Sequence, residues 1–177
     1  LRMTKLAPVA YRPGAYHRDV GELMRVVPSD VRAWLKRLAG YATTGHTSED
    51  VVAVWDGAGA NGKSTLLEAV GTVLGDYAGA VSPQLVMRTS HEPHPTIKAV
   101  TGGDQISARF MRGDFFTFTP THTLIIATNH RPAVNSTEHA SWRRLRLVPF
   151  PYTYKPTTEA HDGDRVQDRG LRRRLTT

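Results

Sequence analysis

The chain has 177 residues, with 23 Lys and Arg against 16 Asp and Glu, a formal net charge of +7 and no cysteine. This length fits one domain, and 40% hydrophobic residues supply enough apolar side chains for a core. The lack of cysteine excludes a disulfide framework, a cysteine-ligated zinc site and a thiol nucleophile. No apolar run approaches the roughly 20 residues of a membrane span, so we expect a cytoplasmic protein with no membrane partner.

The charge is unevenly distributed along the chain. Residues 1–50 carry eight basic and five acidic side chains, residues 51–142 carry six and seven, and residues 143–177 carry nine and four. Basic flanks around a near-neutral middle are typical of a globular core whose edges contact a polyanion such as nucleic acid. A basic composition that serves only solubility is the alternative that this distribution leaves open.

Chain breakers and apolar periodicity divide the sequence into three parts. The first, residues 1–50, is predicted to be irregular up to a helix that Ser29 or Asp30 caps and Gly40 ends. The second part is a core domain. The third, residues 151–177, is predicted to be a basic tail, with disorder as one interpretation.

The core domain, residues 51–150, is predicted to have an α/β fold. The continuous apolar run 51–55 is typical of a strand that is covered on both faces, and 123–127 and 145–150 are the other two predicted strands. Residues 110–118 alternate between apolar and polar side chains around a Gly-Asp pair, which predicts a hairpin.

The strongest chemical signal is a match to the phosphate-loop pattern G-x-x-x-x-G-K-S/T, placed between a predicted strand and a predicted helix. The candidate ATP-binding residues are Gly57, Ala58, Gly59, Ala60, Asn61, Gly62, Lys63, Ser64 and Thr65. Glycines let the backbone N–H groups converge on an anion, and the positive end of the following helix adds to this attraction. Lys63 is expected to contact the β- and γ-phosphates, and the Ser64 hydroxyl to ligate Mg²⁺. A glycine-rich turn that only joins strand to helix is the alternative.

An ATPase of this kind also needs a carboxylate at the end of a neighbouring apolar strand. The acids between residues 65 and 128 are Glu68, Asp76, Glu92, Asp104 and Asp114. None of them follows an apolar run. Asp104 is the best candidate among these acids.

Two further segments each allow two interpretations. Asn129 follows the apolar run 123–127 and either contacts a γ-phosphate or its attacking water, or forms a turn. Arg143 and Arg144 form either a solvated basic face or an arginine finger that reaches the ATP of a neighbouring subunit. Spacing in the sequence does not decide between these interpretations.

Four ordered motifs together resemble the superfamily 3 helicase domain of phage and plasmid primase-helicases. They are the segment 57–64, the segment 98–104 with Gly102-Gly103-Asp104, Ala127-Thr128-Asn129-His130 with Pro132, and Trp142-Arg143-Arg144 continuing to Phe150. The resemblance covers roughly residues 5–175. It implies an AAA+-related P-loop ATPase with three layers and a mainly parallel sheet, preceded by a small helical segment. It also implies a hexameric ring that moves on single-stranded DNA during replication of a phage, a prophage or another mobile element.

The resemblance implies roles for individual residues. Lys63 and Ser64 would bind ATP and Mg²⁺, Asn129 would be the sensor, and Arg143 or Arg144 would be the finger. The implied DNA contacts are Lys98, Arg109 and Arg112. The implied strand order puts the strand before the phosphate loop between the other two apolar strands.

The chain departs from this family in two respects. Between residues 96 and 97 the family has a further strand that ends in a metal-coordinating glutamate, and the roughly 15–25 residues that it needs are missing here. The family domain also continues beyond the region of Gly170. We therefore expect an internally deleted, C-terminally truncated helicase domain with a reduced sheet and impaired hydrolysis.

These observations leave hypotheses of different classes. The first is an ATP-dependent DNA helicase subunit, and the second is a non-catalytic remnant that binds ATP or DNA or joins intact subunits. A P-loop kinase for a small molecule is weaker, because it explains neither the basic flanks nor the Trp-Arg-Arg motif.

Overall fold

The structure is a computed structural model that describes residues 5–81, 100–109, 112–131, 142–162 and 164–176. The helices are α1 (Arg18–Leu23), α2 (Ser29–Ala42), α3 (Lys63–Leu74) and α4 (Leu171–Thr176), with 3₁₀ turns at Met24–Val26 and Gly75–Tyr77. The strands are β1 (Val52–Asp56), β2 (Ile106–Arg109), β3 (Phe115–Phe118), β4 (Leu124–Thr128), β5 (Leu145–Pro149), β6 (Tyr154–Lys155) and β7 (Arg165–Val166). Within the described ranges, no helix has the length and apolar character needed to cross a membrane.

A parallel sheet in the order β4-β1-β5 forms the centre of the fold. The three predicted strands and the central position of β1 are confirmed. At the carboxyl end of the sheet, Asp56 is in register with Thr128 on one side and with Pro149 on the other. The loop that follows β1 therefore starts between the ends of its two neighbours.

Strand β1 is buried on both faces, as its continuous apolar run predicts. Ala53 and Trp55 pack into a cluster with buried residues of α1, α2 and α3, and the Trp55 and Phe150 rings lie 5.2 Å apart. Val52 and Val54 face a second cluster that contains Val100 and Leu124. This burial fixes the strand that carries the glycine-rich loop.

The N-terminal part differs from its prediction. Residues 18–23 form α1, although the sequence indicates an irregular segment. A helix of six residues is marginal alone, and α1 is held because Leu23 is buried in the core and Asp19 pairs with Arg174, 2.8 Å away. Contacts of this kind with a distant part of the chain leave no pattern in the sequence of residues 18–23.

Helix α2 is confirmed, but both of its predicted ends are wrong. The residue that caps it is Pro28, with no side-chain hydrogen bond, so neither Ser29 nor Asp30 is the cap. The helix also continues through Gly40 to Ala42. Leu35 and Leu38 anchor it in the core, and one exposed glycine costs only about 1 kcal/mol in a helix.

The hairpin is confirmed with a different first strand. Ile106 pairs with Phe118 and Arg109 with Phe115, so the hairpin begins before residue 110. The reason is burial, because Ile106 packs against the cluster around Val52 and Val54.

Disorder is wrong for the described part of the tail, residues 151–162 and 164–176. Strands β6 and β7 pair in parallel, and α4 packs against α1 and α3. Two bases of α4 that would be solvated in a disordered tail have acidic partners: Arg174 pairs with Asp19, and Arg172 pairs with Glu68 of α3.

Candidate functional site

The glycine-rich loop, residues 57–62, joins the carboxyl end of β1 to the first turn of α3. Gly62 caps α3 with a φ of 84°, a left-handed conformation that favours glycine. A Cβ on Gly57 would lie 2.3 Å from Nδ2 of Asn61 and 2.5 Å from the carbonyl oxygen of Phe150. The loop therefore packs tightly against the segment that follows β5.

The side chain of Lys63 folds back over this loop. Its Nζ donates hydrogen bonds to the carbonyl oxygen of Gly57 at 2.5 Å and to Oδ1 of Asn129 at 3.2 Å. Burial lowers the pKa of Lys63, and the nearby Asp56 carboxylate opposes this shift. The structure thus places Lys63 and Asn129 in one site, while their roles stay predictions.

Asp56 belongs to this site and was missed by the sequence prediction. It is the last residue of β1, and its Oδ2 accepts a hydrogen bond from Nε of Arg131 at 2.9 Å. Its side chain is 15% exposed, against 74% for Arg131. The signal that identifies Asp56 is its position at the end of a buried strand, before the glycine-rich loop rather than after it.

Asp104 does not lie at this site. A Cβ on the adjacent Gly103 would lie 4.0 Å from Oγ1 of Thr47, which precedes β1. Asp104 is therefore near the amino end of the sheet, and the length of β1, about 13 Å at roughly 3.3 Å per residue, separates that end from the glycine-rich loop.

The two candidates for an arginine finger lie in different environments. Arg144 is 4% exposed, and its Nη2 donates to Oδ2 of Asp50 at 2.8 Å. Its backbone oxygen also accepts a hydrogen bond from Val52 at 2.9 Å. Arg144 is therefore held inside its own domain at the amino end of the sheet, which leaves the exposed Arg143 as the candidate for contact with a neighbour.

A stability measurement separates these two arginines. We expect Arg144→Met to lower the free energy of unfolding by about 1–3 kcal/mol, because Asp50 loses its partner while it is partly desolvated. The matched Arg143→Met should change it by less than about 0.5 kcal/mol, as an exposed substitution does. Urea denaturation measures both, and equal stability of the two variants would contradict a structural role for Arg144.

The glycine-rich loop opens into a cleft of about 1540 Å³. Its far wall is formed by two segments, namely α1 with its 3₁₀ turn and the segment from β6 to α4. Described basic residues on the cleft, besides Lys63, are Arg18, Arg25, Arg32, Arg165, Arg169, Arg172 and Arg174. The described acidic lining residues are Asp19, Glu22 and Asp168. Because basic side chains outnumber acidic ones, the cleft attracts anions.

The proposed DNA contacts lie apart from this cleft. Arg109 ends β2, and its guanidinium lies 5.3 Å from the ring centroid of Phe115, which is 73% exposed. Arg112 is in the hairpin turn with a φ of 61°. Lys98 lies outside the described residues.

Comparison with known proteins points to viral replication proteins, although no family model matches the sequence. The chain is 28% identical over 169 residues to a protein of Acanthamoeba polyphaga mimivirus that is named as a helicase. It is 25% identical over 154 residues to a protein of African swine fever virus that is named as a primase. These alignments cover 79% and 70% of this chain but 18% and 16% of the two relatives. The chain thus spans less than a fifth of the length of these relatives.

The fold is shared with the C-terminal region of NrS-1 in its A-form apo structure. The TM-score is 0.60 at 11% sequence identity, and the match covers 97% of this chain and 44% of that chain. This chain therefore has an α/β fold with a parallel sheet that is similar to the NrS-1 region, and its sequence is similar to viral proteins named as helicases and primases.

Proposed function

We propose that the chain is the P-loop ATPase part of a replication helicase of the superfamily 3 type, which binds ATP and Mg²⁺ and acts on single-stranded DNA. The observation that carries this proposal is the position of Lys63. Its buried ammonium group lies over the glycine-rich loop, at the carboxyl end of the central strand and in a cleft where basic side chains outnumber acidic ones. The similarity to viral proteins named as helicases and primases supports the replication part.

In this proposal the phosphates of ATP lie against the backbone of residues 59–65, which line the cleft. The ammonium group of Lys63 would exchange the oxygens of Gly57 and Asn129 for phosphate oxygens. Asn129 is then placed to contact the γ-phosphate or a water beside it. Titration of ATP into the protein by calorimetry tests this part, and a lack of binding would contradict it.

The side chains present fit a magnesium ion that arrives with the nucleotide. Ser64 is exposed on the cleft, in the first turn of α3. One hydroxyl together with phosphate oxygens and waters is a coordination that Mg²⁺ accepts. The ion would neutralise phosphate charge, and Ser64 is the residue of this chain that would hold it. Where the chain is described, no group of three or more His, Cys, Asp or Glu could bind a metal alone.

One observation favours the second hypothesis, a module that binds without turnover. Among the described residues, β4 is an edge strand of the central sheet, and no further strand that could end in a carboxylate pairs with it. The carboxylate of Asp56, which directly precedes the glycine-rich loop, is held by Arg131. We therefore propose nucleotide binding with little hydrolysis, in a subunit that joins others of its kind in a ring through surfaces such as that of Arg143.

Single-stranded DNA is proposed to bind at the hairpin of β2 and β3. Phe115 is exposed beside Arg109, and an aromatic ring with a neighbouring guanidinium is suited to stack on an unpaired base. Arg112 in the turn, and Lys98 by resemblance, would contact phosphates. This arrangement adds base stacking to the backbone contacts that the basic flanks indicate.

Fluorescence anisotropy with a labelled oligonucleotide at several salt concentrations tests this binding. We expect the affinity to fall with salt, with a log–log slope of about −0.7 per neutralised phosphate. Phe115→Ala should weaken binding about fivefold or more, while Tyr11→Ala, at a residue that is 89% exposed elsewhere, should not. An affinity that does not depend on salt would show that the basic residues are only a solvated surface.

A further inference from the structure

We infer that the nucleoside of the bound nucleotide is held by a wall formed by Val26, Tyr154 and Arg165. The inference rests on the proposed binding of ATP at the glycine-rich loop. It assigns the base to a part of the cleft for which neither the loop motif nor the similar proteins specify residues.

Two segments that are distant in sequence are attached to the glycine-rich loop. The backbone N–H of Tyr154, in β6, donates to the carbonyl oxygen of Ala60 at 2.8 Å. A Cβ on Gly62 would lie 2.6 Å from Cγ1 of Val26, so the side chain of Val26 covers that glycine directly. The loop is therefore flanked by an aromatic residue on one segment and an aliphatic residue on the other.

Arg165 joins these two segments. Its Nη1 donates to the carbonyl oxygen of Arg25 at 3.0 Å and to the hydroxyl of Tyr154 at 3.2 Å. Its guanidinium also stacks on Tyr152, with Cζ 3.3 Å from the ring centroid. These three contacts on a planar group leave it little freedom, so the wall is formed before a ligand arrives.

The chemistry of this wall suits a heterocyclic base. Val26, Tyr154 and Arg165 line the same cleft as Lys63. Val26 is buried and supports the wall from behind, while Tyr154 and Arg165 offer an aromatic ring and a flat cation. These are the groups on which bases stack.

The part of the far wall around Arg174 is poorly suited to binding a base. There Arg174 donates hydrogen bonds to both Asp19 and Asp168, and these bonds lower the pKa of both carboxyl groups. Charges that neutralise one another in this way bind a base poorly. With the phosphates on the glycine-rich loop, the base therefore lies against the wall of Val26, Tyr154 and Arg165, which adjoins that loop.

Calorimetric titration with two probes, ATP and inorganic tripolyphosphate, tests the inference, because only ATP carries a base. Tyr154→Leu should weaken ATP binding about 5- to 100-fold, the range for loss of one base–aromatic stack, and leave tripolyphosphate within about twofold. Tyr154→Phe keeps the ring and should keep ATP binding. Tyr11→Leu is the control for a tyrosine far from the cleft.

The other outcomes are also decisive. Unchanged ATP binding by Tyr154→Leu would overturn the inference, and an equal loss of both ligands would do so as well, since it would show that Tyr154 only supports the loop. Lys63→Ala should weaken both probes. A wild-type protein that binds neither probe would refute the proposed function, and the inference with it.

Discussion

Lys63→Ala is expected to weaken ATP binding about tenfold or more. A charge-assisted hydrogen bond to phosphate contributes roughly 1.5–3 kcal/mol, and the Lys63 ammonium is already positioned over the glycine-rich loop by two hydrogen bonds. Calorimetry measures the change. Lys36→Ala, an exposed lysine of α2, is the matched control and should bind ATP like the wild type. Equal ATP affinity in the Lys63→Ala variant would refute the role of Lys63.

The same substitution should not lower the free energy of unfolding. Burial lowers the pKa of Lys63 in the folded state, so its charged form is less favourable there than in the unfolded chain. This cost is fully present below the lowered pKa of Lys63, and it disappears as the pH rises past the unfolded value. Urea denaturation at pH 7 should therefore show equal or higher stability for Lys63→Ala. A clear loss would show that weaker ATP binding reflects damage to the fold.

The second large effect concerns turnover, where we expect binding with little hydrolysis. In-line phosphoryl transfer depends on the positioning of the metal ion and the attacking water, and misplacing one element costs about 100-fold or more in rate. In the described part of the chain, no strand lies beyond β4 to supply a carboxylate for this positioning. A finger from Arg143 does not replace that group, because it stabilises charge on the transferred phosphoryl and does not orient water. Phosphate release, measured with and without single-stranded DNA, tests this expectation.

DNA-stimulated hydrolysis that Lys63→Ala abolishes would contradict the prediction, and two variants would then locate the carboxylate. Asp56→Asn should lower such activity, because Asp56 ends β1 beside Lys63. Asp104→Asn is the matched control and should leave it unchanged, because Asp104 lies near the opposite end of the sheet.

The centre of this fold can be predicted from the sequence because its signals are local. The apolar run 51–55 is buried on both faces, and the glycine pattern after it requires the backbone that the loop has at Gly57 and Gly62. The same locality places Lys63 on the first turn of α3. Strand, loop and helix therefore follow from residues that are neighbours along the chain.

The parts that could not be predicted depend on long-range pairing. Helix α1 is held by burial of Leu23 in the core and by pairing of Asp19 with Arg174, and neither signal is visible in the local sequence. Arg144 lies in a basic run, which usually indicates a solvated face, yet it is buried because Asp50 faces it. Asp56 shows a third limit, since the pattern that marks the loop does not include the residue before it.

The contact between α1 and α4 also determines when the site is completed during synthesis. Asp19 and Arg174, which tie α1 to α4, are separated by 155 positions. At roughly 5–20 residues per second, the ribosome adds Arg174 on the order of 10 s after Asp19. During that interval β1 and the glycine-rich loop with Lys63 can form, while α1 still lacks α4, the helix against which it packs. The site is therefore expected to acquire its full affinity for a nucleotide only after α4 has been made, in a docking step that follows folding of the sheet.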